Sequence, residues 1–435
     1  MTVTYDPSHP AYYDQADLRK EMVRAFEICH GCRICFNLCQ SFPTLFDAVD
    51  RRDGDVASMT FDEQDRVIHE CYQCKLCYLK CPYVPPHEWS LDFPRLVMRA
   101  NAVEHRISKR TYHDRVVDQF FGRTDLVGRL SSAGAPVVNA IAGKRGSLAR
   151  RAMQATIGIA SERLLPPYSK ERFTTWFRRR TPPLLVDPPG LQGKVSVFPT
   201  CFIEYMDPAI GKDLCKVYER NRVDCSVPQG TRCCGAPWLH QGDVEAFEKA
   251  ARRNVESLVV ELRAGKDVVV AQPTCAYVLK QDYPRYVRTH EADDVAAHTY
   301  DASEYLAALH TGEGTELETR FDGEVPDRVT YHLSCHLQAQ SIGVKARELL
   351  RLAGIDVDLV SRCSGIDGTW GYRAQNYEMS LKVAQRMKSE IEEAANSTVC
   401  GDCHLANGSI LQETGLKPVH PMQLLARAYG IPEER

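Results

Sequence analysis

The sequence predicts an α+β multidomain chain: a small helical unit, a basic helical linker, and two tandem α/β repeats. Three observations predict it. The first hundred residues carry one tight cysteine spacing twice, embedded in helix-periodic sequence. Residues 106–180 hold 16 Lys/Arg against five Asp/Glu. From Lys194 onward, strand-like and helix-like segments alternate twice in the same order, the pattern of βαβ units and parallel sheets. The expected boundaries are 1–111, 112–190, 191–325 and 326–435. At 435 residues, with 44% hydrophobic and 26% charged residues, the chain can bury several cores and has an ordinary globular composition.

In the first unit, Cys29, Cys32, Cys35 and Cys39 read C-x2-C-x2-C-x3-C, and Cys71, Cys74, Cys77 and Cys81 repeat it, ending in Cys81-Pro82. Three thiolates at intervals of three wrap one face of a cubane, and the fourth often reaches across to a second cluster. Proline then turns the chain away after the last ligand. The pattern predicts two [4Fe-4S] clusters. Structural zinc prefers spaced pairs of ligands, and a disulfide framework belongs to small secreted domains, so both alternatives fit less well. His30, His69 and Lys75 are expected to tune or solvate these sites. Helical periodicity at 17–28 leads into the first run, with Leu18, Met22, Ala25 and Phe26 on one face, and 62–71 leads into the second. Phe42-Pro43 and residues 51–55 are read as loop or turn between the runs, and 91–110 as a further helix.

Residues 112–189 contain most of the basic excess and end in Trp176-Phe177-Arg178-Arg179-Arg180, followed by the Pro-rich stretch TPPLLVDPPG. This segment is either a connector with a solvated face or a set of basic amphipathic helices on an anionic membrane surface, where each cation adds about 1 kcal/mol. An acidic subunit is a further candidate partner. Nucleic acid is not expected, because no binding motif accompanies the charge.

The α/β part alternates strands at 194–199, 223–227 and 267–272 with helices at 211–221 and 243–264. The second copy has strands at 328–333, 356–360 and 397–399 with helices at 344–353 and 377–395. Each copy brings four cysteines to strand ends, where α/β sheets place ligands. The first has Cys201, Cys233, Cys234 and Cys275; the second has Cys335, Cys363, Cys400 and Cys403. Four soft ligands per repeat suit a further iron–sulfur cluster or a zinc ion. Cys215 and Cys225 fall outside the pattern and are expected in the core.

The order Cys…Cys-Cys-Gly…Cys-x-x-Cys resembles the cysteine-rich CCG domain, found in pairs in heterodisulfide reductase subunits, the iron–sulfur subunit of glycolate oxidase and lactate-utilisation proteins. With two ferredoxin runs in front, the chain resembles the family of the C subunit of anaerobic glycerol-3-phosphate dehydrogenase. HLSCHLQAQSIGVKARELL, CSGIDGTWGY and CGDCHLANGSILQETGLKPVHPMQLL are the closest stretches. The resemblance implies an N-terminal helical ferredoxin-like domain, tandem CCG repeats, and electron transfer from a flavoprotein dehydrogenase toward quinone. A full CCG unit has five cysteines. Here Val278 stands where Cys275-x-x-Cys would place the last thiol, and Ser364 replaces the second cysteine of a pair. A non-cubane cluster needing five thiolates is therefore disfavoured in both repeats. His332, His336 and His404 flank the second site as hydrogen-bonding groups or substitute ligands.

No nucleotide-binding glycine loop, phosphate loop or nucleophile elbow is present, and no catalytic residue is assigned. The expected function is an iron–sulfur electron-transfer subunit, without an organic-substrate site of its own, that accepts electrons from a flavin-linked dehydrogenase or similar donor and passes them toward the quinone pool. The alternative is a heterodisulfide-reductase-like subunit that reduces a disulfide at a CCG cluster; a third reading is a metal-stapled scaffold. Many cysteines without a legible leader at 1–18 predict a cytoplasmic location, or a peripheral one on the inner face of the cell membrane.

Overall fold

The computed structural model describes residues 5–107, 111–181, 191–366 and 368–434. The Pro-rich stretch at 182–190 lies outside them.

Helix α1 (Gln15–Cys32) starts at Asp14, whose side chain accepts from the Asp17 N–H, and buries Leu18, Met22, Ala25 and Phe26. It runs past the predicted end, so Cys29 and Cys32 sit in its last turn. Arg33 then reverses the chain with φ +55°. The loop predicted around Phe42-Pro43 is instead helix α2 (Ser41–Asp50). Proline fits because the first helical N–H groups have no acceptor. The turn at 51–54 is present, with positive φ at Asp53 and Gly54. A Thr60–Glu63 capping box opens α3 (Phe61–His69). Short α4 (Leu76–Lys80) and α5 (Phe93–Arg106) complete the unit. Phe26, Phe42, Phe46, Phe93, Leu96 and Val97 form its core.

The basic segment is helical. It folds into α6 (Tyr112–Gly122), α7 (Thr124–Ala133), α8 (Ala135–Gly143), α9 (Leu148–Ile157) and α10 (Phe173–Arg179), packed on the repeats. Part of its charge is structural. Buried Arg150 donates to the carbonyls of Ala142, Ala160 and Arg163 at 2.7–2.8 Å. Buried Arg163 reaches Ser380 Oγ and covers the Tyr377 ring. The Trp176-Phe177 pair packs against the α/β core. Arg180 lies over Phe177 and pairs with Glu219, and Trp176 Nε1 donates to Glu434.

The first repeat is a parallel sheet of order β2-β1-β3-β4: β1 (Gly193–Val197), β2 (Val223–Ser226), β3 (Asp267–Val270) and β4 (Thr299–Asp301). Strand β4 was not legible in the sequence pattern. Helices α11 (Cys201–Tyr205), α12 (Pro208–Arg220), α13 (Ala236–His240), α14 (Val244–Arg263), α15 (Pro273–Tyr277), α16 (Tyr283–Val287), α17 (His290–Ala297) and α18 (Ala302–Thr311) surround it. The second sheet has order β6-β5-β7: β5 (Arg328–His332), β6 (Asp356–Val360) and β7 (Val399–Cys400). Its helices are α19 (Cys335–Ala339), α20 (Lys345–Leu352), α21 (Tyr377–Ala394), α22 (His404–Thr414) and α23 (Pro421–Ala428). One apolar core spans both repeats, and Cys215 and Cys225 are buried in it, as expected.

Candidate functional site

The eight N-terminal cysteines sort into two nests that do not follow the two runs. Burial pushes the Cys29 thiol well above its ordinary range, reinforced by Cys35, Cys81 and Cys32. Cys35 rises to about 11 through burial and the same neighbours, Cys81 and Cys32. Cys39 is raised by burial and by Cys71 and Cys74, and Cys77 by burial, by Cys74, Cys71 and Cys39, and least by Cys35. One nest is therefore Cys29, Cys32, Cys35 and Cys81; the other is Cys39, Cys71, Cys74 and Cys77. Each run lends its fourth cysteine to its partner, because α1, α2 and α5 bring the two runs together around one aromatic core.

In the first repeat, Cys201 opens α11 at the end of β1, Cys233 and Cys234 precede α13, and Cys275 lies on α15 after β3. Side-chain hydrogen bonds join Cys233 to Cys201 and Cys234, and Cys234 to Cys275. Those bonds hold Cys233 below its ordinary range, while the same bonds and burial raise Cys201 and Cys234. Gly235 has φ +91°, and a Cβ there would stand 2.7 Å from the Phe247 ring, so the turn that presents both thiols requires glycine. Asn254 donates to the Cys233 carbonyl and Tyr283 to that of Cys234. The basic segment contributes as well: Asp125 on α7 accepts the Cys233 N–H at 2.8 Å, and burial pushes its carboxyl up to about 6.

The second repeat gathers three cysteines, not four. Cys335, Cys363 and Cys403 line one small cavity of about 30 Å³, together with Ser364, His336 and Cys74 from the N-terminal unit. Cys400 is elsewhere. It is fully buried in the apolar core and pairs with Tyr331 on β5. Tyr331 precedes Cys335 by four residues, as Val197 precedes Cys201, and Val197 pairs with Val269. Cys400 thus takes the strand position of a core valine. The sequence placed it in the site because Cys400-x-x-Cys403 matches a ligand spacing; the pleat turns it inward.

The flanking histidines divide. His336 Nδ1 lies 3.7 Å from Cys335 Sγ and 3.4 Å from Thr274 Oγ1, and burial pushes it down to about 3. His332 Nε2 meets the Arg362 carbonyl at 2.9 Å. His404 turns toward the first repeat: it stacks on Phe202 with centroids 3.9 Å apart, and its Nδ1 bonds Gln272 Oε1 at 2.6 Å. Gln272 Nε2 donates to Cys403 Sγ at 3.4 Å, so one amide ties the two repeats at their sulfurs. Sequence reasoning passed over Gln272, although it stands three residues before Cys275.

The N-terminal unit docks on both repeats. Buried Tyr72 sits between Cys363, Cys39 and Cys74, and its ring meets Trp370 at 5.0 Å. Lys75, only 4% exposed, points its ammonium between Gln73 and Met98 and faces the Tyr277 ring. Arg95 reaches Asp282 at 2.7 Å, with both side chains buried.

A model of the cysteine-rich CCG domain matches residues 195–280 and 329–406, and a model of the citrate utilization protein B Fer4-like domain matches 22–106. The C subunit of anaerobic glycerol-3-phosphate dehydrogenase from Escherichia coli K12 is 30% identical over 309 residues, covering 70% of this chain and 75% of that protein. The chain belongs to the family of that C subunit. Other relatives of the chain include the B subunit of fumarate reductase (CoM/CoB) from Methanothermobacter marburgensis, 27% identical over 53% of this chain and 45% of that protein. Lactate utilization protein A of Bacillus licheniformis is 28% identical over 48% of this chain and 87% of that protein.

The residues fit the iron–sulfur chemistry of these domains. Each N-terminal nest supplies four soft donors from two chain runs, and the first repeat supplies four more. Among the described residues, no three His, Cys, Asp or Glu side chains converge as ligands of a single ion. No helix among the described residues is long and apolar enough to cross a membrane.

Proposed function

We propose that this chain is the iron–sulfur electron-transfer subunit of a flavin-linked oxidoreductase, taking electrons from a partner dehydrogenase and passing them toward the quinone pool. The observation that carries the reading is the contact between nests. Cys74 of the second N-terminal nest lines the same cavity as Cys335, Cys363 and Cys403, and Tyr72 bridges Cys39, Cys74 and Cys363. Soft-ligand sites thus follow one another through the molecule.

In this reading, Cys29, Cys32, Cys35 and Cys81 hold one [4Fe-4S] cluster, and Cys39, Cys71, Cys74 and Cys77 hold the other. Cys201, Cys233, Cys234 and Cys275 hold a third centre. Cys335, Cys363 and Cys403 offer three thiols, with His336 beside them. Such clusters supply one-electron transfer. The protein partly or fully buries their thiols, holds the Cys233 and Cys234 backbone through Asn254 and Tyr283, donates from Gln272 to Cys403 Sγ, and buries the Lys75 ammonium beside Gln73 and Met98. The relationship to subunits of dehydrogenases and reductases supports a redox partner protein; the flavin-linked donor and the quinone acceptor are part of the proposal.

The basic segment supports a peripheral membrane contact. Leu126, Leu130, Val137, Ile141 and Leu148 are exposed on α7, α8 and the start of α9, beside exposed Arg129, Lys144, Arg145 and Arg151. Apolar residues among cations match the interface of an anionic bilayer.

The test is anaerobic iron and sulfide quantification with EPR on the reduced protein, followed by electron delivery from a photoreductant to a soluble dye. About eight irons or more and rapid dye reduction are expected; colourless, zinc-loaded protein would overturn the reading. Thiol release from an added disulfide would replace it with disulfide reduction.

A further inference from the structure

The first-repeat thiols face one wall of a chamber of about 390 Å³. Cys201, Cys233, Cys234 and Cys275 line that wall beside His240 and His404. The opposite wall comes from the basic segment: Phe120 and Phe121 of α6, Val127 of α7, Val138 and Ala142 of α8, and Ile157 of α9. The first-repeat centre would fill part of this volume, and the remainder is an apolar space with a few polar groups, the character of small-molecule sites. A folded segment with no cysteine ligand of its own would not need to build this roof for electron relay alone.

We infer that this chamber binds the acceptor itself, a flat apolar quinone ring, against the first-repeat centre. The inference rests on the electron-transfer reading above and names the acceptor's site. Three features select this class of ligand. The aromatic and aliphatic walls suit a ring with a lipid-soluble tail. A few polar groups in the lining can hold the ring carbonyls, among them Thr124, Ser131 and Tyr168, together with His240 and with His404, which Gln272 orients through Nδ1. The helices that form the inner wall also carry the exposed Leu126, Leu130, Val137 and Ile141 on their other faces, so the chamber's roof is the surface proposed to meet the bilayer. Reduction of the ring to quinol takes up two electrons, delivered singly by the reduced iron–sulfur centres that the partner dehydrogenase feeds, and two protons from water.

Adjacent residues on α8 provide the test. Val138 lines the chamber, whereas Val137 is 65% exposed. Anaerobically loaded full-length protein carrying Val138→Trp should bind a short-chain menaquinone analogue at least tenfold more weakly, read by equilibrium dialysis. Val137→Trp should bind like the parent. A photoreactive azidoquinone should label chamber residues in the parent and lose that labelling in Val138→Trp. Iron content and the EPR spectrum serve as the folding control, and Ala142→Phe is the second filling variant if Val138→Trp loses iron. Unchanged affinity in a folded filling variant, or labelling outside the chamber, would overturn the inference. The electron-transfer reading would survive that result if the photoreduced protein still reduces a soluble dye, and would fail separately if it does not.

Discussion

Replacing Cys400 separates a ligand cysteine from a core cysteine. Its side chain is fully buried on β7 against Tyr331, and no other thiol perturbs it; burial and Asp402 raise it. Cys400→Ala removes one buried heavy atom, comparable to deleting a single methyl, so it should cost about 0.5–1.5 kcal/mol. Cys400→Ser keeps the volume but buries a hydroxyl. The nearby Asp402 carboxylate is already committed to Tyr331 and Ser334, so the serine should cost about 1–3 kcal/mol, more than the alanine. Iron and sulfide per chain should be unchanged in both variants. Cys234→Ala, in contrast, removes a thiol bonded to Cys233 and Cys275 and should lower the iron content by about one centre. The assay is anaerobic iron and sulfide analysis beside thermal unfolding of the same preparations. Loss of a centre's worth of iron from Cys400→Ala, or serine tolerated better than alanine, would refute the core assignment.

Three other outcomes are expected. Arg95→Met leaves Asp282 buried without its cation and should destabilise by about 3–5 kcal/mol, with most of the loss recovered in Arg95→Met/Asp282→Leu, as measured by denaturant unfolding. Burial holds the Asp213 carboxyl at about 6, above its ordinary value, against Lys216 and beside Glu433, Asp207 and Glu434. The folded state therefore keeps a proton that the unfolded chain releases. Its contribution is full below about pH 4 and is lost as the pH rises through about 6, so Asp213→Asn should remove up to about 3 kcal/mol of that slope in pH-dependent melts. Leu130→Glu/Ile141→Glu should reduce sedimentation with phosphatidylglycerol vesicles at least tenfold while leaving iron content intact, because both side chains are exposed and neither is among the residues lining the chamber.

Spacing alone determined the soft-ligand chemistry, since three thiols at intervals of three can wrap a cluster on whatever scaffold holds them. Period-3.6 and short apolar runs likewise determined the helical start and the repeated α/β order, because local patterning specifies local elements. Other features depended on contacts between residues far apart in the chain. The exchange of Cys39 and Cys81 between nests comes from how α1, α2 and α5 pack, and the removal of Cys400 from its site comes from the pleat of β7 against β5. Pro43 looked like a loop signal because its tolerance in a first helical turn depends on where the helix begins. The basic segment read as a linker because charge reports solvent exposure on one face and says nothing of the other. Only packing turned that second face inward, over four thiols, to enclose a chamber.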